Sequence, residues 1–270
     1  MIRAYIEGIG LCGPGLEGWA LSAPILAGHT PYTPVPAKPP ALTLLPAAER
    51  RRAPQTVKLA LAVGSEAFTA SGRDPAAIPT IFASSGGDGD TIHDILSVLA
   101  SPVRELSPTR FHNSVHNAAA GYWSIATTST AASTSLCAHD DSFAAGLLEA
   151  LSQTSTGQPA GLIAYDVPYP EPLFTVRPVG AIFGVALVFS PTPTAAAFAQ
   201  LDLSLQPGPA VSTPAAPALE ELRSTTPSAR ALPLLEALAK GVATAVSLAY
   251  LNDMTLHLTL TPHPAEGWPA

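Results

Sequence analysis

Three clusters in this sequence hold residues able to do chemistry. The first is Cys137-Ala-His139-Asp140-Asp141-Ser142, which brings a thiol, an imidazole, carboxylates and a hydroxyl together along a short stretch. Cys137 or Ser142 with His139 would suit nucleophilic acyl transfer or hydrolysis. On a strand, however, Cys137 and His139 share a face only as i and i+2, too constrained for a nucleophile–base hydrogen bond. The plainer reading makes Cys137 a small buried side chain and Ser142 a helix cap. The second cluster is His112 and His116, which on one helix would share a face as zinc ligands do. Asn-Ser-Val lies between them and no third ligand stands beside them. Hydrogen bonding within the packed structure is the better reading, and no metal is expected. The third is Ser84-Ser85-Gly86-Gly87-Asp88-Gly89-Asp90. Backbone amides of a glycine-rich turn can cradle an anion. This one matches neither the dinucleotide fingerprint nor the P-loop, and its spacing is not that of a calcium loop. A strand-to-helix turn accounts for it, and no cofactor is expected.

The elements that must position these residues follow from pattern. RAYIEGIGLC (3–12) reads as a strand ending in Gly13-Pro14-Gly15, with a short helix from Glu17 to Ala23 before Pro24. Residues 30–46 are proline-rich and read as an extended loop. Ala47 to Phe68 repeats apolar residues at helical spacing, with Pro54 near the first turn of its main segment. A buried strand from Ile78 to Ser84 precedes the glycine-rich turn, and a helix starts at Thr91. A helix over 110–128, a strand over 133–139, and a helix opened by Asp140-Asp141-Ser142 come next. The acidic start suits a helix N-terminus. Strands follow at Gly161–Asp166 and Gly180–Phe189. Ser190 to Ser228 reads as a Pro/Ala/Thr linker, Leu232 to Leu251 as a helix, and Thr255 to Leu260 as an alternating strand. Strands alternating with helices argue for a layered α/β domain.

Composition narrows the function. Net charge is −7 from 13 basic and 20 acidic residues, so nucleic acid is not expected as a partner. The basic run Arg50-Arg51-Arg52 reads as a solvated helix entry. Two distant cysteines make no disulfide framework and suit a reducing cytoplasm. MIRAYIEGIG lacks a signal-peptide layout, and Val179 to Phe189 is too short to span a bilayer. Charged residues are only 12% while apolar residues reach 47%, too little polar surface for a comfortable monomer. A large permanent interface would resolve that imbalance.

FASSGGDGDTIHDI, SPTRFHNSVHNAAAGYWSIAT, STSLCAHDDSFAAGLLEAL and YDVPYPEP together resemble the β-ketoacyl synthases of the thiolase superfamily. Within that family the chain is most similar to the shortened, cysteine-less chain length factors, those of aryl polyene clusters in particular. The resemblance implies a thiolase-like layered α/β fold. Its N-terminal half would be complete over 1–190. Its C-terminal half would be shortened or degenerate, with residues 191–270 a Pro/Ala-rich linker and a short segment. Anchored on Gly121-Tyr-Trp-Ser-Ile, the family's catalytic cysteine falls on Asp140, and Cys137 lies three residues too early. The family's catalytic histidine contexts are absent, since only His257 and His263 lie beyond Asp140. The resemblance therefore implies a non-catalytic subunit. It would pair with an active ketosynthase that extends an acyl chain held by acyl carrier protein, which itself is a possible contact. The strand Ser133 to Ala138 would meet its counterpart across the dimer axis. Phe111, Tyr122, Trp123, Ser133, Ser135 and Cys137 are then candidates for the interface or for lining the partner's acyl tunnel. For the three aromatics a place in the core is an equally good reading.

Overall fold

The computed structural model describes residues 1–40, 43–208, 211–251 and 253–263. The chain opens with β1 (Ile2–Gly13), buried without interruption from Ile6 onward. A strand covered on both faces reads as a near-continuous apolar run, as this one does. A turn at Pro14-Gly15 leads into β2 (Leu16–Glu17) and α1 (Trp19–Leu26). The helix runs through Pro24 instead of stopping before it. Pro24 forfeits one helical rung, but its carbonyl accepts from the His29 and Thr30 amides at 2.9 and 3.2 Å, closing the last turn. The expected extended loop follows over the described residues 30–40 and 43–46.

The helical run predicted from Ala47 to Phe68 is two helices, α2 (Ala47–Arg52) and α3 (Gln55–Ser71). Ala53, held extended before Pro54, breaks it. α3 ends on Gly72 in the left-handed region. Next come β3 (Thr80–Ala83), α4 (Gly89–Ala100), α5 (Pro108–Asn113), α6 (Ala118–Thr127), β4 (Ser133–Leu136) and α7 (Ser142–Thr154). Then follow β5 (Ala160–Asp166), α8 (Leu173–Val176), β6 (Phe183–Ser190) and β7 (Ala199–Pro207). The chain continues with α9 (Pro217–Thr225), α10 (Leu232–Lys240), β8 (Thr244–Tyr250) and β9 (Met254–Pro262).

Three expectations are corrected here. The helix predicted over 110–128 is α5 and α6, separated by a break at 114–117. The linker predicted from Ser190 to Ser228 contains β7, paired with β1, and α9. Buried Leu201 and Leu203 alternate with polar neighbours in β7, but the flanking prolines and threonines mask the pattern. The helix predicted from Leu232 to Leu251 stops at Gly241, left-handed at φ 60, and β8 replaces its second half. Val246 and Leu248 of β8 are buried at period two and gain a partner in β9.

Among the described residues the strands form one sheet in the order β4-β3-β5-β6-β1-β7-β9-β8, with β2 paired to β1. β3 is parallel to β4 and β5, and the remaining pairs are antiparallel. Alternate residues of β5 and β6 enter two different cores. Leu162, Ala164, Val185 and Leu187 pack with α7, α1 and α10. Ile163, Tyr165, Ala186 and Val188 pack with α3 and α6. The result is a helix–sheet–helix sandwich. α3 lies so close to β1 that a Cβ on Gly8 or Gly10 would collide with the Ala67 or Val63 carbonyl oxygen. The glycines in Glu7-Gly-Ile-Gly-Leu are thus needed for that helix to dock.

Candidate functional site

In open α/β sheets, sites form beyond the carboxyl ends of parallel strands. Here β3, β5 and β4 end side by side, and their next residues converge: Ser84-Ser85 after β3, Cys137 to Asp141 after β4, and Val167 to Tyr169 after β5.

Asp166, the last residue of β5, holds this end together and was not found from sequence. It is 3% exposed. One oxygen accepts from the Ser85 amide at 2.8 Å, the Ser85 hydroxyl at 2.7 Å and the Ser84 hydroxyl at 3.3 Å. The other accepts from the Ser228 amide at 2.8 Å. Burial pushes its carboxyl above the usual range, while the Ser85 and Ser228 donors pull it back. The only sequence signal was a carboxylate closing a wholly apolar strand.

The glycine-rich turn is a strand-to-helix turn, as the plainer reading has it. Asp88 caps α4, accepting from the Thr91 amide at 2.8 Å, and takes the Thr56 hydroxyl at 2.8 Å. The Gly87 amide donates to the Ser84 hydroxyl at 3.2 Å. Gly86 and Gly89 lie against the Tyr169 side chain, where a Cβ would overlap its hydroxyl or its ring. The Ser85, Gly87 and Thr91 amides thus have internal acceptors.

His112 and His116 do not share a helix. His116 Nε2 lies 3.1 Å from the Ser84 carbonyl oxygen, and His112 stacks edge-on against Tyr122 at 6.2 Å. Among the described residues, no group of three or more His, Cys, Asp or Glu is placed to hold a metal ion.

The segment between β4 and α7 is a sharp elbow. Ser142 is not the cap expected of it: it is the first residue of α7, and its hydroxyl turns back across the elbow, accepting from the Ala138 amide at 3.0 Å and donating to the His139 carbonyl at 2.7 Å, while Asp141 at the cap position makes no side-chain cap bond. His139 sits in the left-handed region, φ 52, with its ring exposed. Cys137 is exposed, contrary to the buried position expected, because β4 is a sheet edge. Its thiol donates to the Ser85 carbonyl at 3.1 Å. Thiol and hydroxyl are both engaged with backbone, so the nucleophile–imidazole pair is not assembled in this structure.

Asp140 forms ion pairs with Arg177 at 2.6 Å and Arg230 at 3.2 Å. Asp141 takes Arg230 at 2.7 Å and accepts from the Leu251 amide at 3.0 Å. The elbow carboxylates thus tie in the segment after α8, the turn before α10, and the turn after β8. His257 lies 3.3 Å from the Ser247 hydroxyl, and His263 packs edge-on to Tyr5.

The interface and tunnel candidates divide. Tyr122 and Trp123 are each 1% exposed and belong to the core, which corrects their assignment to a partner-facing surface. α6 turns them inward: Tyr122 donates to Asn113 at 3.1 Å, and Trp123 packs between Phe68 and Phe82. Phe111 is 65% exposed, and Ser133 and Cys137 are also exposed. Ser135 is half-buried, its hydroxyl oxygen without a partner. The Ala132 and Leu136 carbonyls accept from the Thr80 and Ser84 amides. By the period-two alternation of a strand, the backbone groups of Ser133 and Ser135 face outward along an open edge.

The sequence matches the family described as beta-ketoacyl synthase, N-terminal domain, over residues 27–249. No curated protein matches it. A structure of a ketosynthase in complex with its chain length factor from Xenorhabdus doucetiae is 20% identical. The match covers 96% of this chain and 100% of that one, with a TM-score of 0.74. The ishigamide ketosynthase/chain length factor is 13% identical over 98% of this chain and 100% of that one, TM-score 0.71. A β-ketoacyl synthase from Burkholderia phymatum is 14% identical over 90% of this chain and 72% of that one, TM-score 0.60. The chain belongs to the β-ketoacyl synthase N-terminal domain family and has the thiolase-like fold of the ketosynthases.

Proposed function

We propose that this chain is a non-catalytic subunit, a chain length factor, that pairs with an active ketosynthase in an aryl polyene-type pathway in the cytoplasm. The observation that carries the reading is the elbow. Where the family places a thiolate at a helix N-terminus, this chain has Asp140, held by Arg177 and Arg230. A carboxylate in two ion pairs is a weak nucleophile, and its acyl anhydride would hydrolyse readily. The partner supplies the thiol and the histidines, and acyl carrier protein delivers the acyl chain to that partner. The open edge of β4 is the natural place for pairing, since its Ser133 and Ser135 backbone groups lack a neighbouring strand. Two free cysteines suit a reducing compartment. Among the described residues no helix is long and apolar enough to cross a membrane.

The test is co-expression with a cysteine-bearing synthase from the same genome. Equal-proportion copurification is expected, with condensing activity unchanged by Asp140→Asn in this chain and lost on changing the partner's cysteine. The Asp140→Cys variant, assayed alone, is expected to show no condensation. Activity gained by that single change would overturn the non-catalytic assignment.

A further inference from the structure

We infer that the cavity between the second half of α3, α6 and the segment before α2 is a binding site for a small uncharged molecule with an apolar body and a hydrogen-bond-accepting carbonyl oxygen, as in a ketone, ester or amide. The site is independent of the pairing proposed above. The cavity holds about 380 Å³, within the roughly 300–1,000 Å³ usual for ligand pockets. Phe68 of α3, Trp123 of α6 and Leu44 give it apolar walls, and Ser65, Thr69 and Arg73 place polar groups around it. Trp123 is 1% exposed, yet its indole Nε1 has no hydrogen-bond partner. A buried tryptophan N–H ordinarily finds an acceptor, because one left unpaired has lost its water without replacement. Cζ3 and Cη2 of the six-membered ring lie toward Gly64 and Ile163, so the five-membered ring, which carries the N–H, is the end turned away from them. A cavity wall thus holds a donor with nothing to donate to.

Charge decides which acceptor fits. Among the described residues lining the cavity, Arg73 is the one charged group. Its guanidinium is already matched. Nε and Nη2 donate to the buried Glu7 carboxylate at 2.7 and 2.9 Å, and Nη2 donates to the Ser190 hydroxyl at 3.2 Å. A carboxylate ligand would therefore meet no uncompensated positive charge, and it would lose its own hydration on entry. A carbonyl oxygen accepts from a neutral N–H at far smaller desolvation cost. The Ser65 and Thr69 hydroxyls donate or accept as the ligand requires. Leu44, 41% exposed, is apolar surface for the ligand's body to cover.

The experiment titrates the full-length chain, isotopically labelled at its tryptophan nitrogens, with three probes: acetophenone, ethylbenzene and benzoate. The Trp123 indole resonance is identified by its loss in Trp123→Phe, which keeps an aromatic ring in the core. Acetophenone is expected to move that resonance and to bind at least about fivefold more tightly than ethylbenzene, the return of one hydrogen bond to a buried unpaired donor. Trp123→Phe is expected to bind the two alike. Benzoate is expected to bind no more tightly than acetophenone. Thr69→Phe fills the cavity from an exposed position and is expected to block binding. Unchanged thermal melting checks that each variant folds, and Thr69→Phe keeps the test open if Trp123→Phe does not. A Trp123 resonance unmoved by saturating acetophenone, equal wild-type affinity for acetophenone and ethylbenzene, or wild-type binding by Thr69→Phe overturns the site. Tighter binding of benzoate overturns the choice of an uncharged ligand.

Discussion

Asp166→Ala tests the physical account of the site end of the sheet. The side chain accepts from two backbone amides, Ser85 and Ser228, and from the hydroxyls of Ser84 and Ser85. Hydroxyls rotate to new acceptors, but the amides are fixed, and both lie in residues less than a tenth exposed. A buried donor left without an acceptor costs about 1–3 kcal/mol, so two cost about 2–6 kcal/mol. Removing a carboxylate whose ionised form is disfavoured by burial returns part of that. A net loss of about 2–4 kcal/mol follows, a large share of the roughly 5–15 kcal/mol that holds a domain folded. Asp166→Asn keeps an oxygen for Ser85 but sets an NH2 against the Ser228 amide, so about half the loss is expected. Urea unfolding gives the magnitude, and hydrogen exchange at the two amides gives the location. A shift under about 1 kcal/mol with both amides still protected would refute the claim that Asp166 pins the loop after β3 and the turn before α10 to β5.

Three further outcomes are expected. Gly89→Ala forces Tyr169 off the glycine-rich turn, since the new methyl overlaps its ring; a loss of about 1–3 kcal/mol with a more exposed tyrosine is expected by thermal melting and fluorescence. Native alkylation followed by mass spectrometry should label exposed Cys137 well before Cys12, whose thiol is buried and pushed up to about 11 by desolvation, with Glu66 and Glu17 adding to it. Equal rates would refute that assignment. Hydrogen bonding from Arg3 holds the Asp202 carboxyl below the usual range. Its folded pKa is therefore the lower one, and the pair's contribution is present above an unfolded value of about 4 and lost as pH falls through the folded one. Acid titration of stability should be flatter in Asp202→Asn, and an unchanged curve would count against the pair.

Much of the fold was legible because local pattern and burial agree. β1, β5 and β6 are buried through both faces, so their apolar runs could mean little else. α7 announced itself by its acidic entry and its apolar spacing. The misread segments are those decided by partners distant in sequence. Nothing local in 114–117 reveals that His116 bonds to the Ser84 carbonyl across the fold, and that bond sits where the expected helix breaks. Residues 242–250 suit a helix or a strand equally well until β9 is present to pair with them. At the site, the strand-to-helix elbow was readable from local pattern, but the cap expected at Ser142 was not met, because its hydroxyl closes back on Ala138 and His139 instead of onto the first amides of α7. Asp166, Arg177 and Arg230 were not readable, since their partners lie far along the chain. The exposure of Cys137 follows from β4 being an edge, which is a property of the whole sheet.

The long first strand carries a consequence for biosynthesis. β1 is translated well before its two long neighbours, β6 at Phe183–Ser190 and β7 at Ala199–Pro207. At about 5–20 residues per second, a ribosome needs roughly 10–40 seconds to reach them. Throughout that interval IRAYIEGIGLCG is an apolar, strand-forming segment on a nascent chain with no ladder to join. α3 emerges first, and Gly8 and Gly10 allow it to lie flat on the waiting strand. The same two glycines that let a helix dock in the finished sheet thus offer the unfinished chain cover on one face of β1.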